Sequence, residues 1–245
     1  MRRQRYKSPA TDDAVQHASA APHDQDFPMT DFAAARKQMV DSQLLPNKVT
    51  DTAVIEAMSA VPREMFVPKA LRGVAYVDED VPVAPGRYII EPMVFARLLQ
   101  AAAVGKTDAV LDVGCATGYS AAVLARLASV VVAVEEDATL AAEASNTLGG
   151  VGAENAAVIR GPLNAGYAAQ APYDVIVLEG AVEEVPATLF EQLGEGGRLV
   201  AVIAGRGIGK ATLFSRTGGV IGHRELFDAG LPPLPGFARE AGFVF

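Results

Sequence analysis

The part of this 245-residue chain best equipped for chemistry is Val110-Leu111-Asp112-Val113-Gly114-Cys115-Ala116-Thr117-Gly118-Tyr119. An apolar strand ends near an acid, a turn bearing glycines follows, and a helix begins. Glycines at such a turn let the backbone come close to a ligand. The free N–H groups of the helix's first turn then face a polar or anionic group. The spacing Gly-x-x-x-Gly lacks the full Gly-x-Gly-x-x-Gly of a dinucleotide turn, so a nicotinamide-linked oxidoreductase is poorly supported. The next strand ends in Val134-Glu135, 17 residues beyond Gly118. That is close to the spacing of roughly 20 at which a carboxylate accepts hydrogen bonds from vicinal ribose hydroxyls. Glu136 is adjacent, and either acid could instead cap the following helix. Asp112 has two readings as well, a cofactor contact or a structural cap of the turn.

The elements around this motif alternate. Apolar periodicity predicts helices from Asp31 to Pro46 and from Asp51 to Pro62, with Phe66 and Val67 as core anchors. An extended lead-in over Val74–Val83 then reaches a loop at Pro85-Gly86. From Glu91 onward, helices near Val94–Ala102, Tyr119–Leu127, Leu140–Leu148 and Leu189–Leu193 interleave with strands. The strands are expected at Ala109–Val113, Val130–Val134, Ala156–Ile159, Val175–Leu178 and Leu199–Ile203. Strands apolar throughout and separated by helices make a parallel sheet covered on both faces. Thr212–Ser215 and Val220–Phe227, joined at Gly218-Gly219, read as an antiparallel hairpin. The expected fold is α/β, a doubly wound, mostly parallel seven-stranded sheet with an antiparallel C-terminal hairpin and an N-terminal helical cap. Residues 1–28 read as a disordered tail with Met29 as the natural start of the folded part, 29–92 as cap and substrate loop, and 93–245 as the catalytic domain. LPPLPGF at 231–237 reads as a loop, and Phe243–Phe245 as a final short strand.

Composition narrows the function. A net charge of −8 disfavours a protein that grips nucleic-acid phosphates through a basic face. No apolar run is long enough for a membrane helix, so neither a nucleic-acid nor a membrane partner is expected. A lone cysteine, Cys115, cannot form an internal disulfide, which predicts a cytoplasmic chain. The three histidines, His17, His23 and His223, are scattered and give no metal-ligand spacing, so no metal is expected. Cys115 in the glycine turn is a minor candidate for a reactive thiolate, and Glu183-Glu184 a minor candidate pair at the carboxyl edge of the sheet.

VLDVGCATGYSAAVLARLA followed by VVVAVEED resembles the cofactor turn and acidic strand end of class I methyltransferases. MVDSQLLPNKVTD, VIEAMSAVPREMFVP, GRYIIEPMVFARLLQ and APYDVIVLEGAVEEVPATLFEQLGEGGRLVAVIA are similar to successive blocks of protein-L-isoaspartate O-methyltransferases. The match runs in order over residues 36–204. The resemblance implies the class I methyltransferase fold, S-adenosylmethionine as cofactor, and methyl transfer to the carboxylate of an isoaspartyl residue in a protein or peptide. Asp112, Gly114, Ala116, Gly118, Tyr119, Glu135, Gly161 and Pro162 would line the cofactor. The 86–92 loop, with Arg87, Tyr88 and Ile90, would lie over the substrate. A carboxylate is already a nucleophile at neutral pH, so catalysis would come from alignment in a dry site. The oligomeric state is not legible.

Three positions depart from the family. Family members carry threonine at Tyr88 and serine or threonine at Ile90, whose hydroxyl is credited with positioning the substrate carboxylate. Ala116 stands for the middle glycine of the turn. Pro162 stands for an aspartate that binds the adenine amino group, and proline offers neither carboxylate nor N–H. One lost hydrogen bond of this kind costs on the order of 1–3 kcal/mol, so affinity falls without vanishing. Arg87, Tyr88 and Glu91 bring new polar groups to the site, which would suit an altered substrate; Arg87 reads either as a bidentate partner of a carboxylate or as a solvated loop arginine. The alternative to an enzyme is a catalytically silent relative serving as a binding or scaffolding module.

Overall fold

The computed structural model describes residues 31–205 and 207–239. The readings made for the tail and for Phe243–Phe245 lie outside the described residues.

The cap begins where Asp31 accepts a hydrogen bond from the Ala34 N–H, starting α1 (Phe32–Met39). The chain continues through a π-helical turn, Val40–Leu44, and a 3₁₀ turn, Leu45–Asn47, that contains Pro46. Asp51 caps α2 (Thr52–Ala60) through the N–H groups of Ala53 and Val54. The expected extended lead-in over Val74–Val83 is only partly realised. A 3₁₀ segment occupies Lys69–Val74 and turns follow, and only Val81–Ala84 is a strand, β1. The carbonyl of Ala75 is taken by a buried arginine rather than by a neighbouring strand, which is why extension fails there. β1 pairs antiparallel with β2 (Arg87–Ile89) around Pro85-Gly86.

The remaining strands are β3 (Ala109–Val113), β4 (Val130–Glu135), β5 (Ala156–Arg160), β6 (Tyr173–Val182), β7 (Leu193–Ile203), β8 (Lys210–Thr217) and β9 (Val220–Asp228). They form one seven-stranded sheet in the order β5-β4-β3-β6-β7-β8-β9, parallel from β5 to β7 and antiparallel from β7 to β9. Helices α3 (Pro92–Ala102), α4 (Tyr119–Ala125), α5 (Ala138–Gly150) and α6 (Ala187–Glu191) connect the strands or precede them. The expected sheet, hairpin and cap are therefore all present.

Two apolar clusters sandwich the sheet. One holds Val110, Val131, Val175 and Val177 together with α3, α4 and the cap residues Met39, Leu44, Met58 and Phe66. The other holds Leu111, Val113, Val132, Ile176 and Leu178 with Leu189, Leu234 and Phe237. Alternate residues of one strand thus face opposite clusters, which is why the strands are apolar throughout. The strand order reverses between β3 and β6. In an open α/β sheet the crevice beyond the carboxyl ends at such a reversal is where ligands bind. Among the described residues no helix is long and apolar enough to cross a membrane.

Candidate active site

Three adjacent strands bring an acid to this crevice: Asp112 from β3, Glu135 from β4 and Glu179 from β6. All three are buried. Glu135, 0% exposed, ends β4, as the sequence suggested. Its Oε2 accepts from the Ala116 N–H at 2.9 Å, and its Oε1 accepts from the Asp137 N–H at 3.1 Å. The acid that caps α5 is Asp137, not Glu135 or Glu136, so the Glu135 carboxylate is turned to the glycine turn. Burial pushes it above the usual carboxylate range, against the pull of Arg87 and the backbone N–H groups.

Asp112 accepts from the Ser120 hydroxyl at 2.7 Å through Oδ2, while Oδ1 has no partner among the described residues. Burial pushes it up to about 7, despite the Ser120 hydrogen bond. Glu179, whose Oε1 is also unpartnered, lies well above its ordinary value for the same reason. Glu179 was not singled out from the sequence, although it follows an apolar strand much as Glu135 does. Burial, reinforced by Asp112 and Glu135, pushes the Cys115 thiol well above its ordinary value. That environment is the opposite of the electropositive one a reactive thiolate needs.

The glycine turn is held against β4 by the Gly114 N–H, which donates to the Val134 carbonyl at 2.8 Å. Gly114 has φ +86°, and a Cβ there would meet Leu234 Cδ1 at 2.7 Å and Arg87 Nη2 at 3.3 Å. Ala116 also adopts a left-handed backbone, φ +49°. Such a conformation costs an L-residue roughly 1–2 kcal/mol, partly offset because glycine loses more freedom on folding. Ala116→Gly is therefore expected to stabilise the fold by about 0.5–1 kcal/mol. A raised urea midpoint with unchanged slope is the predicted reading, and an unchanged or lower midpoint contradicts it.

Tyr119 stacks within the core against Phe66, Phe95 and the Arg63 guanidinium, with its hydroxyl unpartnered among the described residues. Gly118 begins α4 from a left-handed conformation. Gly161 donates its N–H to the Glu135 carbonyl at 3.1 Å, and the exposed Pro162 follows at the carboxyl end of β5. Gly161 is thereby tied to the strand end that carries Glu135.

On the substrate side, Ile90 is 2% exposed and belongs to the core. Its carbonyl accepts from Arg63 Nη2 at 2.9 Å, and Arg63 Nε donates to Ala75 at 2.7 Å. Arg63 is wholly buried, and no sequence pattern marked it. Arg87 reaches from β2 to place Nη2 2.6 Å from Glu135 Oε2, in a buried ion pair. Tyr88 is half-buried and lines a narrow cleft with Arg87, Ile90, Glu179, Pro233 and Leu234. Glu91 sits just before α3, where burial and the acids at Asp78, Glu79 and Asp80 push it up to about 7. Glu183 and Glu184 lie apart, bordering a wider groove by β8 and β9. The 231–237 segment is bound to β6: Ala181 N–H donates to the Pro232 carbonyl and Leu234 N–H to the Ala181 carbonyl, at 2.8 and 2.7 Å. Among the described residues there is no cluster that could hold a metal ion.

Residues 34–226 match the family model for protein-L-isoaspartate(D-aspartate) O-methyltransferase (PCMT). The chain is 39% identical over 208 residues to a protein-L-isoaspartate O-methyltransferase of Koribacter versatilis, covering 85% of this chain and 94% of that one. It is 37% identical over 201 residues to one from Methanoregula boonei, covering 82% and 93%. A solved protein-L-isoaspartate O-methyltransferase superposes with a TM-score of 0.72 at 26% identity, over 82% of this chain and 66% of that one. A Plasmodium falciparum structure of that description, in complex with S-adenosyl-L-homocysteine, has a TM-score of 0.71 at 19% identity, over 81% and 97%. This last likeness concerns the fold. With the family model spanning most of the sequence and relatives matched along nearly their whole length, the chain belongs to the protein-L-isoaspartate O-methyltransferase family.

Proposed function

We propose that this chain is an S-adenosylmethionine-dependent O-methyltransferase acting on isoaspartyl carboxylates of proteins or peptides. The observation that carries the reading is the set of three buried acids, Asp112, Glu135 and Glu179, around a turn in which Gly114 has φ +86° and little room for a Cβ beside Leu234 and Arg87. Buried carboxyl groups, two of them with an unpartnered oxygen, suit a ligand rich in hydroxyl and amino donors whose positive charge draws Asp112 and Glu179 to the ionised form. S-adenosylmethionine fits: its ribose hydroxyls suit Glu135, and its cationic groups suit Asp112 and Glu179. When bound, it supplies an electrophilic methyl group on a sulfonium.

The chain's own work is positioning and exclusion of water. Leu234, Pro232 and Pro233 cover the crevice, so charge interactions within it act at low dielectric. Ile90 contributes its carbonyl to the loop's anchoring rather than a hydroxyl to the substrate. A silent scaffold is the less favoured reading. Two acids, Asp112 and Glu179, each buried with an unpartnered oxygen, cost stability, and a scaffold gains nothing in return. We also read the chain as cytoplasmic, since its one cysteine is buried and unpaired.

The test is transfer of labelled methyl groups from S-adenosylmethionine to an isoaspartyl peptide, with the matching aspartyl peptide as control. Base-labile label on the isoaspartyl peptide alone is expected. Label on neither peptide, at enzyme concentrations near that of the peptide, contradicts the acceptor assignment.

A further inference from the structure

Arg87 is the one cation paired with the crevice acids among the described residues. Its Nη2 both bonds Glu135 and lies over Gly114, so it stands where a ligand of Glu135 must come. The guanidinium is buried, yet Nε and Nη1 have no partner among the described residues. An arginine fork with one bond made and the rest idle can change partners. Next to it lies the cleft lined by Tyr88, Ile90 and Glu179, on the side where the family resemblance puts the acceptor. Ile90 has no hydroxyl with which to hold a carboxylate there, whereas a guanidinium can.

We propose that Arg87 is an exchangeable counter-ion: it neutralises Glu135 in the free chain and passes to the acceptor's carboxylate once cofactor hydroxyls take Glu135, so the cofactor binds first. The inference rests on the functional reading above and adds the residue that selects a carboxylate. In the transfer itself one acceptor oxygen stays on Arg87 while the other forms the new C–O bond. The C–S bond breaks, the electron pair remains on sulfur, and no proton moves.

The two steps separate by calorimetry with S-adenosylhomocysteine and an isoaspartyl peptide, on the wild type, Arg87→Ala and Arg87→Gln. Removing the internal competitor is expected to tighten S-adenosylhomocysteine binding about tenfold, because the binding-competent state no longer has to be opened. In the wild type the peptide is expected to bind only when S-adenosylhomocysteine is present, and in either variant not at all. Arg87→Gln keeps much of the side-chain volume and answers for Arg87→Ala if that variant does not fold. The proposal is overturned if both variants bind S-adenosylhomocysteine no tighter than wild type, or if the wild type captures peptide equally without it. Failure of the wild type to bind S-adenosylhomocysteine at all overturns the functional reading as well, and so is distinguishable from failure of this inference alone.

Discussion

Arg63→Ala is expected to cost about 3–5 kcal/mol of folding stability, the range for breaking a buried, hydrogen-bonded charged group. Arg63 is wholly buried, and burial pulls its pKa down, yet the site around it is built for a guanidinium. Nε serves Ala75, Nη2 serves Ile90, and the plane lies 4.7 Å from the centre of the Tyr119 ring. One side chain thus joins the cap, the β2 strand that carries Arg87, and the helix that follows the glycine turn. Truncation leaves two carbonyls short of a donor and opens a cavity against the Tyr119 ring. A counter-effect exists, since replacing a buried ion by an apolar group of similar volume is sometimes neutral. Here the acceptors are backbone carbonyls that cannot be substituted away, so the penalty dominates. Arg63→Met, which fills the volume but donates nothing, is expected to lose about 2 kcal/mol, the cost of the unmade hydrogen bonds alone. Urea denaturation of both variants checks the ordering. A loss under about 1 kcal/mol for Arg63→Ala, the ordinary value for a random substitution, contradicts it.

Much of this architecture was legible because local pattern and tertiary role agree. The β3 strand, the glycine turn and α4 are written in ten consecutive residues, and Glu135 is found by counting from them. The C-terminal hairpin is announced by Gly218-Gly219, whose positive φ values only glycine adopts freely. What escaped was long-range. The Arg87–Glu135 pair joins residues 48 apart, and nothing near Arg87 marks it as buried rather than solvated. Arg63 sits in a short 3₁₀ turn, where an arginine reads as surface. The segment at 231–237 reads as a proline-rich loop, yet Leu234 and Phe237 are core residues that fold back over the site. Glu179 is the instructive miss. It stands in the middle of β6, and the bulge between Val177 and Ala181 displaces it at the crevice. Asking which acid first follows the apolar run of each parallel strand, Val175–Leu178 in this case, would have found it beside Asp112 and Glu135.

The central claim is that Glu135 is the cofactor's ribose ligand, and its removal is the second large effect expected. A carboxylate receiving two hydroxyls contributes charge-assisted hydrogen bonds of about 1.5–3 kcal/mol each. Glu135→Ala also leaves Arg87 buried without its partner, which lowers stability, so folding is verified by a thermal melt before any titration. The most direct measurement is calorimetric titration of the wild type and Glu135→Ala with S-adenosylhomocysteine. The expected result is micromolar binding by the wild type and a loss of about a hundredfold or more in the variant, the equivalent of roughly 3 kcal/mol. Equal affinities in the two proteins, or no heat and no thermal stabilisation of the wild type at millimolar ligand, contradict the account.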